Sequence, residues 1–116
     1  MPKKGVSKYA NLLEDEDVAR WLRNIERGSP ITADVAIRRL GRACELLKLS
    51  PKQMVEKANK NLKSFQDSLE DLVFQLEKEK KSPQYITGII KHVRQWLRYN
   101  DIIITRKIKV SNSSAT

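Results

Sequence analysis

Between residues 82 and 100 apolar side chains return at every third or fourth position. At about 100° per residue, Ile86, Ile89, Ile90, Val93, Trp96 and Leu97 fall on one arc, while Thr87, Lys91, Arg94, Gln95 and Arg98 gather on another. The pattern predicts a helix that packs with one face and offers the other to an anion. A rod of this kind is only stable against partners that cover its apolar arc, so the rest of the chain has to supply them.

It does so with the same periodicity. Carboxylates at residues 14–17 suit a helix N-terminus, and the helix they open buries Val18, Trp21, Leu22 and Ile25 before Gly28-Ser29-Pro30 stops it. Thr32 is expected to cap a second helix over residues 33–48. Its inward stripe is Ala36, Ile37, Leu40, Ala43, Cys44 and Leu47, and its other side shows Arg38, Arg39 and Arg42. Ser50-Pro51, a cap followed by proline in the first turn, opens a short helix to about residue 58 that buries Met54 and Val55. A fourth helix over about residues 62–80 turns Leu62, Phe65, Leu69, Leu72, Val73 and Leu76 inward. Ser82-Pro83 then starts the basic helix. Beyond Asn100-Asp101 the β-branched run from residue 102 to residue 110 predicts a strand or extended arm. With no partner strand in an otherwise helical chain, its backbone groups are expected to pair with something outside the chain or to lie extended as a linker. The expectation is therefore an all-α bundle of four to five helices over residues 14–101. A flexible N-terminus (1–13) precedes it, and an extended arm and tail (102–116) follow.

The 116 residues suffice for one modest domain. Lys and Arg number 23 against 14 Asp and Glu, a net charge of +9 that favours phosphate-rich partners or acidic membranes. The excess is concentrated late: residues 91–110 carry Lys91, Arg94, Arg98, Arg106, Lys107 and Lys109 against Asp101 alone. No run of about 20 apolar residues is present and the N-terminus leads into polar sequence, so a cytoplasmic, DNA-associated protein without a membrane span is expected.

Little in the chain points to catalysis. Cys44 is the sole cysteine and His92 the sole histidine, too few ligands for a cysteine-type zinc site. Cys44 lies in an apolar stripe and is expected as a small core residue. His92 is expected as a surface or boundary side chain on the flank of the basic helix. The four glycines are isolated from one another, so no phosphate-cradling loop is formed. Asp67, Glu70 and Asp71 are read as solvated surface charge. Trp21 and Trp96 fall on buried arcs, and Tyr99 is more exposed. No cofactor, metal or small-molecule substrate is expected.

The order of signals carries a resemblance. The helix opening near Thr32, Ser50-Pro51 with its short helix, Leu69-Glu70-Asp71-Leu72 within a long helix, and the run that starts Ser82-Pro83-Gln84-Tyr85-Ile86-Thr87-Gly88 and ends Arg94-Gln95-Trp96-Leu97 together resemble the N-terminal core-binding domain of tyrosine recombinases, the phage integrase family. Ile108-Lys109-Val110 is similar to the interdomain linker of archaeal members. The resemblance spans roughly residues 19–110. It implies a SAM-like bundle forming half of a clamp around a recombination site, with its second and last helices facing the duplex. Those are the two helices that carry the cationic arcs. It also implies that the family's arginine, lysine, histidine, arginine and tyrosine active site belongs to another domain. His92-Val93-Arg94 has the wrong spacing for the family's histidine and arginine motif, and Tyr85 and Tyr99 are not nucleophiles. The chain would then be a non-catalytic fragment or truncated relative.

Expected DNA contacts are Arg38, Arg39, Arg42, Lys91, Arg94 and Arg98 on phosphates. Gln84, Thr87 and Gln95 are expected to hydrogen-bond to phosphate or base edges. The expected partner is double-stranded DNA, with self-association on it possible. The alternative is a helical adaptor that docks a protein through its Leu and Ile edges and the arm.

Overall fold

A computed structural model describes residues 9–111; the mobility expected before Tyr9 and the structureless tail expected after Ser111 lie outside the described residues. A short 3-10 helix, Ala10–Glu14, leads into five α-helices: α1 (Glu16–Gly28), α2 (Pro30–Leu47), α3 (Pro51–Lys60), α4 (Leu62–Lys78) and α5 (Pro83–Tyr99). The architecture is an all-helical bundle. The 3-10 turn occupies ground expected to be mobile, and Tyr9 beside it packs over Gly41 and donates its hydroxyl hydrogen to Glu45 Oε1 at 2.9 Å.

Three helices begin with the same device. Ser29, Ser50 and Ser82 each accept the N–H of the residue three further on, with proline in the first turn, where a missing N–H forfeits nothing. Ser50 and Gln53 form a full capping box. Here the sequence expectation needs correcting at α2. Ser29, rather than Thr32, is the cap, so Ser29-Pro30 both ends α1 and opens α2, and the two helices are joined by a single residue. α4 and α5 end on left-handed residues, Lys80 (φ 64°) and Asp101 (φ 67°). In each case paired hydrogen bonds run back into the last turn: Lys80 N to Glu77 O with Lys81 N to Leu76 O, and Asp101 N to Arg98 O with Ile102 N to Leu97 O. That stop shortens α4 by two residues relative to the expected end.

The core gathers the predicted stripes of all five helices, with Leu40, Met54, Leu69, Leu76, Ile86, Ile89, Val93, Trp96 and Leu97 fully buried. Trp96 lies at its centre. Its indole N–H donates to Pro51 O at 3.1 Å, and its ring meets Trp21 edge-on with centroids 5.4 Å apart.

The arm is extended and forms no strand among the described residues. It finds its partners within the chain. Gln66 on α4 is only 5% exposed, and its Oε1 accepts the backbone N–H groups of Thr105 (2.8 Å) and Arg106 (3.0 Å), which corrects the expectation of a partner outside the chain. Ile102 and Ile104 are buried, and Ser111 N donates to Glu77 Oε2 at 2.7 Å. Arg106 Nη1 lies 2.6 Å from Asp67 Oδ1 and 3.0 Å from Glu70 Oε1, so these two carboxylates, about half exposed as surface charge, also clasp the arm. The guanidinium beside Asp67 holds its carboxyl below the usual range.

Gln66→Ala is expected to leave two arm N–H groups unpaired and to destabilise the chain by about 1–3 kcal/mol. Hydrogen exchange should find the amides of residues 105 and 106 exposed, with α5 protection retained. Unchanged protection at both amides would show that the arm is held by its isoleucines alone.

Candidate nucleic-acid interface

α2 and α5 lie side by side, with the Arg39 side chain of α2 resting beside Gly88 of α5. A Cβ at Gly88 would come within 3.2 Å of Arg39 Nε, a tight contact that the arginine would have to yield to by a few tenths of an ångström. One turn earlier Tyr85 links the two helices. Arg42 Nε donates to its hydroxyl at 3.1 Å, and the Arg39 guanidinium stands 5.2 Å from its ring centre, with Lys81 Nζ at 5.9 Å. Tyr85 had no assigned role in the sequence reading. Its position beside Gly88 on the wheel was the one available sign.

The nine expected contact residues divide. On α5, Gln84, Thr87, Lys91, Gln95 and Arg98 are exposed, and Arg94 is half-buried because the arm runs beside it. Ile103 and Ile104 line one hollow with Arg94, Gln95 and Arg98; Ile108 and Val110 line another with Thr87, Ile90, Lys91 and Arg94. The arm therefore runs back along α5 and forms one wall of its cationic face, with Lys107 and Lys109 exposed in alternation with half-buried Ile108 and Val110. On α2 the three arginines part company. Arg38 is exposed and pairs with Asp34 at 3.1 Å, Arg42 pairs with Glu45 at 3.0 Å, and Arg39 faces α5. Among the described residues Arg39, Lys91, Arg94 and Arg98 enter no ion pair. Of the six cations expected on phosphates, the four without an ion pair are thus the three on α5 and the α2 side chain nearest to them.

Comparison with known proteins finds no matching family model, no matching curated protein and no matching solved structure.

His92 departs from expectation. It is 5% exposed, with Nδ1 2.8 Å from Gly88 O. On the wheel it falls beside Tyr85 and Gly88, where α2 covers α5. Cys44 is half-buried, and loss of solvent pushes its thiol up to about 12, so it is no thiolate nucleophile at neutral pH. No cluster of three or more His, Cys, Asp or Glu able to hold a metal occurs among the described residues, and no helix there is long and apolar enough to cross a membrane.

Burial depresses the His92 imidazole below its usual 6.5; its hydrogen bond to Gly88 opposes this, and the charges of Lys91 and Arg39 add to it. The unfolded chain therefore binds the proton more readily than the folded one. Stability is fully present above about pH 6.5 and falls as pH drops from there towards the folded-state value. Urea unfolding between pH 7.5 and pH 5.5 is expected to show this decline, and His92→Gln to flatten it. A rise in stability on acidification would contradict the buried, neutral imidazole.

Proposed function

We propose that this chain binds double-stranded DNA as the core-binding arm of a site-specific tyrosine recombinase, in DNA integration or recombination, with strand-exchange chemistry residing in a separate catalytic domain. The observation that carries the reading is the group of cations without ion pairs on two helices in contact, Arg39 on α2 with Lys91, Arg94 and Arg98 on α5. Phosphates are the partner that rewards several cations fixed on a rigid scaffold, because each neutralised phosphate releases condensed counterions. Thr87, Gln84 and Gln95 stand on the same face of α5 and are exposed, available to hydrogen-bond to phosphate or base edges. Arg38 and Arg42 contribute less than the sequence suggested, since Asp34 and Glu45 already engage them. The SAM-like assignment and the recombinase role rest on the order of helices and the Ser82-Pro83 to Leu97 run together with this face.

A protein-docking role draws on the exposed apolar side chains, Ile31 near the start of α2 at 79% and Phe74 on the outer side of α4 at 63% above all. The two readings predict different salt behaviour. Fluorescence anisotropy with a random-sequence duplex is expected to give binding that weakens with a log–log salt slope of several units, and the slope should fall by about 0.9 for each phosphate-contacting cation removed. The triple change Lys91→Glu, Arg94→Glu and Arg98→Glu should nearly abolish binding at low salt. Retained duplex affinity in that variant, or weak binding with a shallow slope in the wild type, would refute the assignment.

A further inference from the structure

Ile103 is 56% exposed although both of its chain neighbours, Ile102 and Ile104, are buried. It is rigidly mounted. The left-handed turn at Asp101 and the hydrogen bond from Ile102 N to Leu97 O (2.9 Å) fix the chain before it, and the bond from Thr105 N to Gln66 Oε1 (2.8 Å) fixes the chain after it. Beside it lies the hollow lined by Arg94, Gln95 and Arg98. Gln95 is exposed, and its amide makes no hydrogen bond among the described residues. An aliphatic side chain held in water within a cationic surface, next to an unengaged primary amide, has a specific chemical complement. In the major groove adenine offers N7 as acceptor and its N6 amino group as donor, a pair that one amide can match bidentately, and thymine offers a C5-methyl group. A G·C pair has neither the methyl nor that donor and acceptor order.

We propose that Gln95 and Ile103 together read an A·T base pair in the major groove, the amide on adenine and the isoleucine on the thymine methyl. Arg94 and Arg98 hold the adjoining phosphates. This rests on the duplex-binding role above and adds a sequence preference to it. Because the backbone on both sides of Ile103 is already held, contact with the methyl releases water without ordering the arm, so the gain is close to that of burying one methyl group.

The test compares three duplexes of equal length at fixed salt: alternating A·T, the same sequence with uracil in place of thymine, and alternating G·C. Uracil removes the methyl and keeps the pairing. Wild-type protein is expected to bind the thymine duplex about fourfold more tightly than the uracil duplex. Ile103→Ala should bind those two equally, and Gln95→Ala should lose about tenfold of the preference for A·T over G·C. Equal wild-type affinity for thymine and uracil duplexes would overturn the inference and leave the phosphate-binding face intact. So would an Ile103→Ala variant that still distinguishes them, since the methyl would then be read elsewhere. Absence of salt-sensitive binding to any of the three would instead remove the duplex-binding role itself.

Discussion

The burial of Trp96 is the constraint on which the bundle's arrangement turns. Its ring is the largest of the fully buried side chains, and it ties α5 to two other helices: it meets Trp21 of α1 edge-on and donates to the Pro51 carbonyl at the start of α3, while Tyr99 of its own helix stacks on it with centroids 6.4 Å apart. An indole N–H buried without an acceptor would cost a few kcal/mol, so the hydrogen bond to Pro51 sets the rotation of α5 as well as its depth. Once that rotation is set, Lys91, Gln95 and Arg98 have to point outward, because they occupy the arc opposite the buried stripe of α5. The exposed face of α5 follows from the way its other face is buried.

Charge alone does not identify an anion-binding surface, and the contrast among the three arginines of α2 makes this concrete. Arg38 and Arg39 are consecutive, yet one pairs with Asp34 a turn away and the other lies over Tyr85 and beside Gly88. An exposed helix pair of this type contributes only a few tenths of a kcal/mol, so phosphate can compete for Arg38, but with less to gain than at Arg39 or Arg98. The arm adds a second selection. By clasping Arg106 with Asp67 and Glu70, it removes one late cation from the positive surface while leaving Lys107 and Lys109 exposed at the edge of α5.

The helices were legible because their apolar spacing and Ser-Pro starts are local properties, and the predicted stripes of α2, α4 and α5 are the buried ones. The error at Ser29 came from giving a serine-proline pair one role when, in a one-residue connection, it has two. His92 was misplaced because a helical wheel records only the direction of a side chain. That flank of α5 is covered by α2, which approaches closely at Gly88. The arm was misjudged for a related reason: β-branched residues favour extended backbone, but which acceptor satisfies that backbone depends on a glutamine 39 residues earlier.

By itself, then, the amino-acid order determined the five helical segments, the apolar arcs that drive them together and the late surplus of positive charge, since each depends on residues within one or two turns of each other. Tertiary packing alone decided which cations keep their charge unpaired, that Tyr85 joins α2 to α5, and that Gln66 straps the arm against the cationic face. Those outcomes rest on distances between side chains far apart in the chain, and such distances exist only after burial has set the relative rotation of the helices.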